Sequence, residues 1–219
     1  DFAYTLDGDT ENEIQYENFN ACGALVEFHG VSVHPGSSKD TMVNASLVAM
    51  EFDSMLPKGE TPRDTEGYEG FYHLLNMEGE CALAKLHYII RDHDVEKFNQ
   101  RKEIMKQITD DLNKKWGKGT VVLTLKDQYR NMREVIAQHM HLIDNAKKAC
   151  ETVRLTPQCL PIRGGTDGCQ LSFRGLPCPN LGTGGHAYHG PYEHITVEGM
   201  DKAVDMITEL VKIYSIQYK

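Results

Sequence analysis

Between Cys81 and Arg91 the chain alternates with a strict period of two. Ala82, Ala84, Leu86, Tyr88 and Ile90 fall on one side, and Lys85, His87 and Arg91 on the other. Such a run is a strand with one face in a core, and a shift of one residue would turn every apolar side chain outward. The neighbouring sequence supplies what that strand needs. Ala21–His29 alternates through Val26 and Phe28, and Phe71–Met77 is a second extended run joined to Cys81–Arg91 by a turn at Glu78-Gly79. Met42, Val43, Leu47, Val48 and Met50 mark a helix that Asp40 caps and Pro57 and Gly59 stop. Val95, Phe98, Met105, Ile108 and Leu112 mark another, ended by Gly117 and Gly119, and Thr120–Lys126 is the last strand. The order is β-α-β-β-α-β, the ferredoxin-like α+β plan. It predicts an antiparallel sheet with both helices on one face, leaving the other face or an exposed strand edge as a dimerisation surface.

The flanking segments read differently. Phe2–Leu6 is extended, Asp7-Gly8-Asp9 is an acidic turn, and a second extended run leads to Tyr16. Ile136, Met140, Ile143 and Ala146 give a helix, Leu155–Ile162 is extended, and Leu176–Leu181 is a short strand. Thr196 caps a final helix through Val197, Met200, Val204, Ile207, Leu210, Val211 and Tyr214. These pieces suit part of an α/β layer. The expected organisation is residues 1–20 and 131–219 as two portions of one domain, with 21–130 inserted between them. A strand that starts at once from Asp1, with no initiator Met, suggests a piece of a larger protein that supplies its missing neighbours.

Net charge is −9, which argues against nucleic acid as the main partner because phosphate binding needs a basic face. No run of about 18 apolar residues offers a membrane span. The six cysteines form no CxxC pair, and irregular spacing in a chain of this length points to reduced thiols and a cytoplasmic setting.

The stretch 163–194 carries most of the candidate chemistry. It is dense in glycine, with Arg163, Thr166, Asp167, Asn180, Thr183, His186, His189 and Glu193 between short apolar runs. Glycine lets backbone approach a ligand closely, so the stretch reads as loops over a scaffold. His189, with Glu193 four residues on, suits a metal ligand or a general base; a loop histidine without a role is the plain alternative. Arg163 suits a carboxylate clamp, and Asp167 could orient a neighbour or accept from an amine. A phosphate loop is a weaker reading, because GxxxxGK[ST] spacing is absent. His34, before Pro35-Gly36, sits at a tight turn, where surface placement is the simplest reading. Asn44 is most simply a helix-end polar residue, and Arg91 a solvated strand end.

Several runs together resemble the peptidase T family, aminotripeptidases of the M20 metallopeptidase clan. They include FAYTLDG (2–8), VHPG (33–36), TEGYEGFYHL (65–74), HYIIRD (87–92), NMRE (131–134), PIRGGTDG (161–168) and LPCPNL (176–181). The likeness runs end to end. It implies a zinc-exopeptidase-like α/β catalytic domain carrying two zinc ions, an inserted ferredoxin-like lid, and a short peptide with a free amino end as substrate. By that resemblance Asp7 is a ligand of one zinc and His189 of the other. His34 contacts the tetrahedral intermediate, and Arg91, Asn131 and Arg163 are candidates for holding the substrate carboxylate. The family's HxD motif, bridging aspartate and Glu-Glu pair, the last including the general base, have no counterpart in these 219 residues. The chain alone is therefore expected to be inactive.

The chain departs from the family pattern around His189. Gly182 stands where a bulkier residue is expected, and His186, Ala187, Tyr192 and His194 replace other residues. Two further readings stay open. One is a non-catalytic binding or dimerisation module. The other is a different M20 hydrolase, a dipeptidase or an N-acyl amino acid deacylase.

Overall fold

The computed structural model describes residues 1–217. The strands are β1 (Thr5–Gly8), β2 (Ile14–Gln15), β3 (Asn20–His29), β4 (Phe71–Gly79), β5 (Leu83–Asp92), β6 (Val121–Tyr129), β7 (Asn180–Gly182), β8 (Gly185–His186) and β9 (His194–Ile195). The α-helices are α1 (Ala45–Met55), α2 (Val95–Trp116), α3 (Arg133–Ile136), α4 (His141–Thr152), α5 (Asp167–Ser172) and α6 (Val197–Gln217). The chain divides into two compact units, one made of 20–129 and the other of 1–19 with 130–219.

In the unit 20–129 four strands form an antiparallel sheet in the order β4-β5-β3-β6. Two of them, β5 and β3, are interior, paired from Asn20↔Asp92 to His29↔Leu83. Ala84, Leu86, Tyr88 and Ile90 of β5 are buried, as the alternation requires. They meet Val26 and Phe28 of β3, Ala49 and Phe52 of α1, and Met105, Ile108 and Leu112 of α2 in one apolar cluster. Helix α2 is capped by Asp94, whose carboxylate accepts from the Glu96 and Lys97 N–H groups, and ends at Gly117 with φ 114°.

Local differences from the sequence reading have identifiable causes. The cap of α1 is Asn44, whose Oδ1 accepts from the Leu47 N–H, not Asp40. Asp40 instead takes a left-handed φ of 59° in the preceding turn. The β4–β5 turn lies after Gly79, closed by the Glu80 N–H donating to the Leu83 carbonyl. Arg91 is not a solvated strand end. It is buried, its guanidinium donating to the Cys22 and Ile90 carbonyls and to Gln128 Oε1 and lying 5.3 Å from the centre of the Tyr129 ring.

In the other unit, β7 lies between β1, which is parallel to it, and β2, which is antiparallel. The expected turn at Asp7 is strand, and the ladder shifts register between Leu6 and Gly8, at Asp7 itself. Instead of one helix through Ile136 and Met140 there are two, α3 and α4, broken by tight turns in which His139 N–H donates to the Ile136 carbonyl. Helix α4 packs on α6, where Ala203, Met206 and Leu210 are buried. Tyr4 OH lies 2.7 Å from both the Leu142 carbonyl and Tyr214 OH, tying β1's lead-in to both helices. Among the described residues no helix is long and apolar enough to cross a membrane.

Candidate functional site

Asp7 owes its position to β1. Because β1 pairs with β7 and the register slips at Asp7, the local pleat is broken there, which re-aims a side chain at a strand end. The chain after β7 then folds back over this point. Thr183 Oγ1 donates to the Gly8 carbonyl at 2.9 Å, and Tyr188 OH lies 3.1 Å from the same oxygen. The Thr183 and Gly184 N–H groups donate to the Asp9 carbonyl. Gly182 is required by this closeness, since a Cβ there would sit 1.7 Å from the Thr10 carbonyl oxygen. At Gly185 an added Cβ would lie 2.0 Å from the Tyr188 hydroxyl and so would displace that side chain from the Gly8 carbonyl.

The same loop presents His189. Ala187 and His189 both adopt left-handed backbone, φ 56° and 60°. That conformation costs a non-glycine residue of order 1 kcal/mol or more and persists where surrounding contacts hold it. Here the His189 N–H donates to Glu193 Oε2 at 2.8 Å. Glu193 thus orders the His189 loop through its backbone.

Asp7, His189 and Asp167 share one electrostatic neighbourhood. The Asp7 carboxyl is held above the usual aspartate range, first by partial desolvation from the surrounding chain and then by the Asp167 carboxylate, with His189 opposing. Asp167 opens α5, whose cap is Thr166 Oγ1 accepting from the Cys169 N–H. The same unit holds polar contacts that no motif announces. Thr10 donates to Glu13, Gln15 Nε2 donates to Glu13 Oε2, and Thr166 Oγ1 donates to Asn180 Oδ1.

The donors assembled here are a carboxylate and an imidazole, both of which zinc accepts, but a catalytic zinc normally takes three protein ligands. Among the described residues no cluster of three or more His, Cys, Asp or Glu side chains is arranged to hold a metal. Asp7 and His189 offer donor atoms of the type zinc accepts, but fewer than such an ion needs.

The other expected site residues occupy distinct settings. Arg163 lies 5.2 Å from the centre of the Phe19 ring. Asn131 Oδ1 accepts from the Asn18 and Arg133 N–H groups, at 3.1 and 3.0 Å, and so fixes the start of α3 against the residue preceding Phe19. In the unit 20–129, His34 is exposed, and its Nδ1 accepts from the Gly36 N–H at 3.1 Å. A neutral ring accepting at Nδ1 carries its proton on Nε2, so His34 offers a donor to solvent.

Comparison with known proteins adds the following. The M20 peptidase dimerisation domain matches residues 16–120. The peptidase T of Clostridium perfringens strain SM101 is 55% identical over 215 residues, covering 98% of this chain and 53% of the relative. That of Caldanaerobacter subterraneus is 52% identical over 214 residues, covering 98% and 52%. Among solved structures, a tripeptidase from Staphylococcus aureus superposes with a TM-score of 0.85 at 18% identity, covering 97% of this chain and 57% of that one. An aminopeptidase PepT from Bacillus cereus gives 0.81 at 22%, covering 96% and 56%. The chain spans about half the length of the curated relatives it matches.

Proposed function

This chain belongs to the peptidase T family of M20 peptidases, and from that premise we propose that it is the C-terminal part of a metal-dependent aminotripeptidase. The longer protein would remove the N-terminal residue from short peptides. The observation that carries the reading is the shared neighbourhood of Asp7 and His189, which lie 182 positions apart in sequence and are held by separate elements.

Asp7 and His189 would each give one ligand to a two-zinc centre whose remaining ligands and general base come from sequence outside these residues. Such a zinc pair, when bound, would supply Lewis acidity and an activated water. The residues present do the rest. Glu193 holds the His189 loop through the backbone N–H. Asp167, near Asp7, raises the negative charge of the site and so favours a cation there. His34 Nε2–H, its tautomer set by Gly36, would donate to the oxyanion of the tetrahedral intermediate. Arg163, Arg91 and Asn131 would act on the peptide's carboxylate. Arg91 and Asn131 also brace their own elements, so their substitution would disturb structure as well as binding.

The unit 20–129 would be the lid, a ferredoxin-like domain by its β-α-β-β-α-β order and β4-β5-β3-β6 sheet. Its sheet edges β4 and β6, or the face away from α1 and α2, would pair two copies. A cytoplasmic setting agrees with the free thiols of all six cysteines.

The test is hydrolysis of a tripeptide panel, with added zinc, by the protein encoded by the full reading frame and by the 219-residue chain. The full protein should cleave tripeptides, Asp7→Ala or His189→Ala should lower kcat by a factor of 100 or more, and the 219-residue chain should be inert. Hydrolysis undiminished by either substitution would refute the ligand assignment. A full-length protein without peptidase activity would leave the dimerisation module as the reading.

A further inference from the structure

We propose that His186 and His194 form a second transition-metal site, separate from the Asp7–His189 pair. The two residues face each other directly across the β8–β9 ribbon, in register. Their ring centres are 5.3 Å apart, and the planes are tilted by 30°. A metal–nitrogen bond of about 2.0–2.1 Å puts an imidazole centre about 3.2 Å from the ion, so two imidazoles at a tetrahedral angle have centres about 5.2 Å apart. The observed separation therefore already suits one ion held by both rings.

The tautomer also fits. His194 Nδ1 lies 2.8 Å from the Tyr192 carbonyl oxygen. A carbonyl only accepts, so Nδ1 carries the proton and Nε2 keeps its lone pair. A ring whose far nitrogen donates to a backbone carbonyl is the usual state of a histidine that ligates a metal, because the bond fixes the orientation and raises basicity. His194 is exposed and His186 half-buried, so water can complete the coordination. Two imidazoles with water at this angle suit Zn²⁺; Cu²⁺, which the same nitrogen donors bind more tightly, draws the rings closer into a tetragonal set and serves as the spectroscopic probe. The ion would clamp β8 to β9 around the loop that carries His189.

This site does not rest on the peptidase reading. Simple ring stacking is the rival account of the pair. Titration of the 219-residue chain with Cu²⁺, followed by electron paramagnetic resonance and calorimetry, separates them. The expected result is a saturable equivalent of Cu²⁺ showing two coordinated imidazole nitrogens. His186→Ala or His194→Ala should each weaken it tenfold or more and remove one nitrogen. Asp7→Asn and His139→Ala should leave it unchanged; the second tests the His139–His141 ring pair, whose centres are 6.1 Å apart. Unaltered binding in both ribbon variants would overturn the proposal. So would loss of the ion in Asp7→Asn, which would assign it to the other pair. A parent spectrum with fewer than two nitrogens would also refute it, without recourse to any variant.

Discussion

The unit 20–129 covers one face of a four-stranded sheet with α1 and α2, and its buried cluster draws on all four strands and both helices. The unit of 1–19 and 130–219 has five short strands in two small sheets, and its longest helix leaves much of its apolar surface in water. On α6, Val204 is 61% and Val211 63% exposed, while Met206 and Leu210 are buried against the rest of the unit. The difference separates two jobs that a core does. One unit spends its apolar residues on holding itself together. The other carries the proposed site, Asp7 with His189, on a scaffold that closes only part of its own surface.

The comparison predicts where substitutions cost most. Phe52 is fully buried, with its ring 5.7 Å from Phe28 and 6.2 Å from Tyr88. Phe52→Ala removes a large side chain from a closed core and should destabilise by about 3–5 kcal/mol, read as a lower urea midpoint. A loss below about 1 kcal/mol would mean that this core is loosely packed.

Arg101→Met comes next. Arg101 donates from Nε to Asp92 at 2.8 Å, pairs also with Glu60, and lies over the Tyr72 ring. Asp92 is 1% exposed, so removing its partner strands a carboxylate in the interior, at about 3 kcal/mol. Asp92→Asn in the same background should recover part of that loss. Failure to recover would show that Arg101 acts through packing on Tyr72 instead.

Legibility from sequence follows the range of the interaction. The buried set of β5 is written in its alternation because both layers it meets are fixed by the local period. Arg91 and Asp92 break the pattern. Both are charged and buried, since their partners Gln128 and Arg101 come from other elements. Asp40 and Asn44 are both plausible caps, and the choice between them rests on φ, not residue type. The break between α3 and α4 is invisible to periodicity because tight turns keep Ile136 and Ile143 on the apolar side, both fully buried. Asp7-Gly8 has the composition of a turn, but β7, far along the chain, makes it a strand. The polar contacts of Glu13, Gln15 and Asn180 and the facing rings of His186 and His194 depend on register, which residue type alone does not specify.

Val204→Lys probes the exposed side of α6. Surface changes away from caps and networks stay within about 0.5 kcal/mol, so this variant of the 219-residue chain should unfold at nearly the parent's urea midpoint. The same substitution in a protein encoded by a longer reading frame sharpens the comparison. A cost of about 2 kcal/mol there would mean that additional sequence buries this side of the helix.

Asp7→Asn should give the smallest effect, and its sign is fixed by the direction of the shift. The folded-state pKa of Asp7 is raised by desolvation and by Asp167, so the ionised form is less favourable folded than unfolded. Below the unfolded value both states are protonated and the group costs nothing. As pH rises from the unfolded value to the raised folded one, stability relative to the protonated form is lost, and the loss is complete above the folded value. Asparagine mimics the neutral carboxyl, so in chelator the variant should melt slightly above the parent at pH 7 and level with it at pH 3. Because Asp7 is exposed, solvent screening keeps the gain small. A variant that melts below the parent at pH 7 would mean that attraction to His189 outweighs repulsion from Asp167, and the site would then be held together by its own two candidate ligands.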